Sequence, residues 1–243
     1  MHRATLVILA LVIGACGAVG AGRSYAQNTS TEATAPAYKL DIEFSGKLLK
    51  RMKVINRVER IREERFRKSL VDEPGMRSSL QSQGVSLFRD VEWAGERLIP
   101  DLHGYTVEAL VRGMMARNLA RAVPDFAGEI RLKLDRIKVD NHPVAYLRAS
   151  HSYVVGKLEV RDADGHKIFE DKMTFPLVAD FSLDSNYDGP RFAFAQTDES
   201  NRVGPVLAHF VEKALERVWP DQEEAIVGPV IIRLAGPDVS TIR

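Results

Sequence analysis

The chain has 243 residues, with 34 Lys+Arg against 33 Asp+Glu, one Cys and 45% apolar residues. Enough Val, Ile, Leu and Phe are present to bury a core, which excludes a wholly disordered chain. The formal charge of +1 excludes the strongly basic balance of a nucleic-acid binder, and a single cysteine excludes an intrachain disulfide framework or a Cys-cluster zinc site.

His2 and Arg3 precede an unbroken apolar run at 5–13 (TLVILALVI), which fades through Gly14, Ala15, Cys16, Gly17 and Ala18 before Arg23. The run is too short for a bilayer core, which needs ~20 residues. It fits the hydrophobic region of a secretory signal peptide better than a buried helix, because glycine and small residues follow at once. Two processing patterns compete. Ser24-Tyr25-Ala26 places small residues at −3 and −1 before Gln27, and Ile13-Gly14-Ala15-Cys16 resembles a bacterial lipobox, whose cysteine becomes lipidated. The expected organisation is a signal peptide at 1–26 (or 1–15 if Cys16 is lipidated) and a flexible tether at 27–37. A single α+β domain at 38–235 and a frayed tail at 236–243 follow. Loss of Arg3 and Arg23 leaves the exported protein near neutrality. Its expected location is the periplasm, in solution or held to a membrane through Cys16.

Residues 39–44 (KLDIEF) alternate polar and apolar, which predicts a first strand. The stretch 46–71 then carries Lys47, Lys50, Arg51, Lys53, Arg57, Arg60, Arg62, Arg65, Arg67 and Lys68 against Glu59, Glu63 and Glu64. Leu48, Met52, Ile55, Val58 and Ile61 recur every three or four positions, as along one side of a helix. Ser45 is a candidate cap and Pro74-Gly75 a stop. Two readings stand side by side. Lys47, Lys50, Arg51, Lys53, Arg57 and Arg60 face an anionic phospholipid surface or an acidic envelope protein. Alternatively the helix is an ordinary surface helix, its long stems covering the core edge and its acids pairing with its bases.

Residues 74–84 read as a loop and 85–93 (VSLFRDVEW) as a strand. A helix is predicted over 106–122, stopped by Pro124. Ile130, Leu132 and Leu134 alternate with Arg131, Lys133 and Asp135, the pattern of a half-buried antiparallel strand. A strand region at 144–160 and a return at 168–178 flank the turn Asp162-Ala163-Asp164-Gly165. Pro176 assigns the return strand to an edge or a bulge. A polar loop at 182–200 leads into the clearest helix, 202–218, closed by Trp219-Pro220, and 226–234 is a last strand. The fold expected is α+β, an antiparallel sheet with two or three helices on one face.

Asp90-Val91-Glu92-Trp93-Ala94-Gly95, with Tyr153-Val154-Val155-Gly156 and Val160-Arg161-Asp162-Ala163-Asp164-Gly165, resembles the W-x-G and Y-x-V-G…V-x-D-x-x-G elements of a group of uncharacterised proteobacterial periplasmic lipoproteins. The likeness covers about residues 85–180. It implies a small α+β fold in which the motifs are structural, a Trp anchor and a hairpin turn whose glycine supplies positive φ. No catalytic residues are established for that group, so none carries over. The long basic segment and the double processing pattern set this chain apart.

No catalytic signature emerges. His103, His142, His151, His166 and His209 form no zinc-protease pair. His151 lies between Ser150 and Ser152, but neighbours in a strand point to opposite faces and no G-x-S-x-G turn is present. Asp184, Asn186, Asp188 and Gly189 imitate the start of an EF-hand loop, yet the twelfth position is Ala195 rather than a bidentate Glu. Glu223-Glu224 reads as a solvated pair. No catalytic, cofactor or metal residue is therefore expected, no nucleic acid is an expected partner, and nothing in the sequence sets an oligomeric state. The function expected is a non-catalytic exported envelope protein that binds another envelope component. A carrier of lipid or another apolar ligand is the alternative, and a hydrolase whose residues converge only in three dimensions a third.

Overall fold

The computed structural model describes residues 37–72, 92–140, 151–177, 191–196 and 202–233. All of them fall in one compact unit, Pro36–Arg243. Strand β1 (Tyr38–Phe44) leads through Ser45 into the 27-residue helix α1 (Gly46–Asp72). After a short helix α2 (Ala94–Leu98) and a 3₁₀ turn (Leu102–Gly104) comes α3 (Val107–Ala122). Three strands follow: β2 (Gly128–Lys138), β3 (Ser152–Arg161) and β4 (Lys167–Leu177). The last elements are β5 (Phe192–Gln196), α4 (Val203–Val218), a 3₁₀ turn (Pro220–Ala225) and β6 (Pro229–Arg233).

The class is α+β, but the sheet is mixed rather than antiparallel. Its order is β1-β2-β3-β4, with β2, β3 and β4 antiparallel and β1 parallel to β2. The chain between β1 and β2 contains α1, α2 and α3, a crossover long enough for a parallel return, which no hairpin supplies. A second correction concerns the C-terminal part. Residues expected in a polar loop form β5, which pairs in parallel with β6 as a separate two-stranded sheet. Most of the strand expected at 85–93 lies outside the described residues. Its last residue, Trp93, makes an isolated parallel bridge to Ala193, and the chain turns helical directly after it.

The core sits where sequence alternation places it. Ile130, Leu132 and Leu134 are buried while Arg131 and Lys133 are exposed, and a bulge between Leu134 and Arg136 follows. Val154, Leu158 and Val160 line the same interior on β3. Gly156 belongs to that row because Phe210 of α4 fills its space: a Cβ there would stand 2.8 Å from Phe210 Cζ. The wet face is a ladder of charges, with Lys39 on Glu129, Lys172 on Asp135 and Lys157 on Glu170. The β3–β4 hairpin turns as read from its sequence. Gly165 adopts φ +83°, and Asp162 Oδ1 accepts hydrogen bonds from the backbone N–H groups of Asp164 and His166. Strand β4, which contains Pro176, is an edge. Thr106 caps α3 by accepting from the Ala109 N–H, and Val206, Leu207, Phe210, Val211, Ala214 and Leu215 of α4 are all buried.

Candidate functional site

Helix α1 begins as its sequence proposes. Ser45 Oγ accepts from the Leu48 N–H at 3.4 Å and donates to the Asp135 carbonyl at 2.9 Å, which ties the helix start to the β2 bulge. Leu48 and Met52 turn into the core, and Ile55 packs at its border. Beyond Ile55 the expected apolar stripe departs from the buried face: Val58 is half-buried and Ile61 is 40% exposed. Steps of three residues fall about 60° short of a full turn, so 55, 58 and 61 walk around the helix. The buried face continues instead through Glu59 and Glu63, which are 4% and 1% exposed.

These two carboxylates are held by a buried ion network. Arg202, at the start of α4, places one guanidinium nitrogen 2.6 Å from Glu63 Oε2, and its Nε lies 3.6 Å from Glu59 Oε2. It also donates to the Tyr105 hydroxyl at 3.0 Å. Arg67 donates its Nε–H to Glu63 Oε1 at 3.0 Å, and its other nitrogens donate to the carbonyls of Gly95, Ile99 and Pro100. Arg62 pairs with Glu59 at 3.2 Å. Burial pushes the Tyr105 phenol well above its ordinary pKa. Burial opposes the Arg202 charge, but Tyr105, Glu63 and Glu59 around it outweigh that cost and raise its pKa. A buried charge must be paired, and each one here is, although Arg202 Nε, 3.6 Å from Glu59, is buried without a hydrogen bond.

The network explains the W-x-G element. A Cβ on Gly95 would meet Glu63 Oε1 at 2.3 Å, so only glycine lets α2 lie against the carboxylate. Trp93 packs edge-on against Phe66 of α1, with ring centres 5.0 Å apart. Asn56 accepts from the Val107 N–H at the start of α3. The inner side of α1 thus holds the starts of α3 and α4 and the end of α2 through polar bonds.

The outer side of α1 carries the residues singled out in the sequence. Lys47, Lys50, Arg51, Lys53, Arg57 and Arg60 are all exposed, and among the described residues no carboxylate forms an ion pair with any of them. The helix's own acids do pair with its bases, but with later ones: Glu59 with Arg62, Glu63 with Arg67 and Glu64 with Lys68, which leaves these six cations without an ion pair from them. Val54 and Ile61, two turns apart among these cations, are 54% and 40% exposed.

Two clefts flank this face. One, of about 720 Å³, lies at the start of α1 and includes Lys47, Lys50, Arg136 and Lys172 together with Asp135. The other, of about 400 Å³, runs between Lys53, Arg57 and Arg60 and the segment His103, Tyr105 and Thr106.

The remaining candidates do not converge. His151, His103 and His166 are exposed on separate elements, and His209 pairs with Glu212 of its own helix at 3.2 Å. Cys16, His142, Ser150 and the 184–189 loop lie outside the described residues. Asp162, Asp164 and His166 bring ligand atoms within 4.8 Å of one another, but they are the hairpin turn and Asp162 is occupied in shaping it. Glu223 and Glu224 are exposed in the 3₁₀ turn. Sequence reasoning missed the buried network. Its signal was present, since Glu59 and Glu63 prolong the Leu48–Met52 stripe. No family model, curated protein or solved structure matches the chain. Among the described residues no helix is long and apolar enough to cross a membrane.

Proposed function

We propose that the chain is a non-catalytic, exported envelope protein that docks on an anionic phospholipid surface through the outer side of α1. The observation that carries this reading is the row Lys47, Lys50, Arg51, Lys53, Arg57 and Arg60, exposed and without carboxylate partners among the described residues. The six cations span residues 47–60, about 20 Å at 1.5 Å each, and spread over the outer half of the helix, a band suited to lying on a surface. Val54 and Ile61 stand between the cations, so the same face offers apolar side chains to the headgroup boundary. Each Lys or Arg near an anionic leaflet contributes about 1 kcal/mol, and salt weakens it. The apolar leader would deliver the domain to such a surface, in solution or lipidated at Cys16.

The test is flotation of the protein, as recovered from expressing cells, with vesicles of phosphatidylcholine alone or mixed with phosphatidylglycerol. Binding only to the anionic vesicles, lost at high salt and in a Lys50→Glu/Arg57→Glu variant, supports the reading. Equal binding to both vesicles overturns it. An acidic protein that captures the domain while vesicles do not would replace the lipid with a protein partner. Intact mass settles the tether, because a chain starting at Gln27 and a diacylated Cys16 differ at once.

A further inference from the structure

Within the docking face, the geometry points to one discrete site: the cleft between α1 and the segment 103–106 binds a phosphate monoester group. This rests on the outer side of α1 being an anion-facing surface, and adds a specific ligand to it. Lys53, Arg57 and Arg60 stand four and three residues apart, so their side chains form one stripe along one wall of the cleft. His103, Tyr105 and Thr106 line the other side, the His103 side chain standing 95% exposed at its edge. The Tyr105 hydroxyl is turned away, bound to Arg202, so the ring presents no competing polar group.

No carboxylate lines this cleft, in contrast to the one at the start of α1, where Asp135 already pairs with Lys172. Glu59 and Glu63 lie on the inner side, engaged with Arg62, Arg67 and Arg202. Two carboxylates stand near these residues without lining the cleft: Asp101 accepts from the His103 backbone N–H and lies 3.1 Å from its ring nitrogen, and Glu64, bound to Lys68, also feels the charges of Arg60 and His103. The cleft, about 400 Å³, is thus lined by Lys53, Arg57 and Arg60 beside the apolar Val54, room for a phosphate at its basic side and for the carbon skeleton that carries it. Guanidinium groups bind phosphate oxygens bidentately, and a terminal phosphate presents three such oxygens with more charge than a diester.

The phosphate could belong to a lipid headgroup or to a soluble molecule, and the experiment separates the two. The full protein is floated with vesicles containing phosphatidic acid, a terminal phosphate, or phosphatidylglycerol, a diester, matched for total charge. Two variants of equal charge loss are compared: Arg57→Ala/Arg60→Ala in the cleft, and Lys47→Ala/Lys50→Ala on the same helix outside it. Both alter exposed residues, and unchanged thermal unfolding verifies their fold. In parallel, the His103 ring signals are followed by NMR during titration with inorganic phosphate and with glycerol 3-phosphate.

The expected result is a preference of about tenfold or more for phosphatidic acid, abolished by the cleft variant and kept by the other. Without an NMR response the ligand is a lipid headgroup. A saturable His103 shift, absent in the cleft variant, with glycerol 3-phosphate displacing the protein from vesicles, assigns it to a soluble phosphate ester. Equal affinity for both lipids, reduced equally by both variants and with no shift at His103, overturns the cleft and leaves the docking face standing. A His103 shift without vesicle binding does the reverse. Neither binding nor shift removes both.

Discussion

Along α4 the residues turned inward are Val206, Leu207, Phe210, Val211, Ala214 and Leu215; along α1 they are Leu48 and Met52, then Glu59 and Glu63. The first helix of this pair is held by apolar burial, which is non-directional and contributes about 1.5–3 kcal/mol for each large side chain. The second is held over much of its length by ion pairs and hydrogen bonds that require particular partners in particular places. α4 has spent nearly all its surface on the core. α1 has spent one narrow face, and its outer cations take no part in holding it.

The sharpest way to break that comparison is to remove one partner from each helix. Phe210→Ala is expected to cost about 3–5 kcal/mol as a core truncation. Arg202→Ala is expected to cost about as much, roughly 3–5 kcal/mol, because Glu59 and Glu63 are left buried without their shared cation. The two differ in rescue. Replacing the charges together, as Glu59→Leu/Glu63→Leu/Arg202→Met, should restore most of the loss, since a buried ion cluster exchanged for apolar groups is often neutral or stabilising. Urea unfolding measures all three. An Arg202→Ala cost below about 1 kcal/mol would mean that the network does not hold α1.

Gly95→Ala is the next largest. Its Cβ would press on Glu63 Oε1 from 2.3 Å, moving the carboxylate off Arg67 and Arg202. A cost of about 1–3 kcal/mol is expected for overpacking of this kind. In a Glu63→Ala background the same change should cost much less, because the two effects share one contact. Equal costs in both backgrounds would show that Gly95 serves some other neighbour.

How far the sequence revealed this arrangement follows the same division. The apolar stripe of α4, the Ser45 cap of α1 and the Asp162–Gly165 turn are local patterns, complete within one or two helical turns or a single hairpin, and they were legible in the sequence. The parallel pairing of β1 with β2 was not, because Leu40, Ile42 and Phe44 alternate identically whichever way the neighbouring strand runs. Strand β5 reads as loop in the sequence, since it is short and its partner β6 lies beyond a whole helix. The outer cations were legible as a row, but their lack of partners was not. That depended on Glu59 and Glu63 turning inward to meet Arg202, a residue whose position only the fold supplies.

A smaller effect tests the wet face of the sheet. Glu170 accepts from Lys157 and Lys167, whose side chains hold its carboxyl down to about 2. A carboxylate whose pKa is lowered by folding contributes stability above its unfolded value. That contribution is complete above about 4.5 and is lost as pH falls through about 2. Glu170→Gln should therefore flatten the dependence of stability on pH across that window and leave it unchanged near neutrality. Acid titrations of the two proteins at fixed urea measure the slope. A difference confined to neutral pH would contradict the assignment.

The smallest expected effect on stability is the most informative about α1. Lys53→Ala, Arg57→Ala and Arg60→Ala remove exposed groups that bond to no carboxylate among the described residues, and surface substitutions of this type usually stay within about 0.5 kcal/mol. Relieving repulsion between neighbouring cations should make the sign stabilising, more so at low salt than at high salt. If instead the three together destabilise the domain by more than about 1 kcal/mol, their stems are covering core and the row is structural. A row kept at some cost to the fold, with no structural return, is what a surface reserved for an anion looks like in a stability measurement.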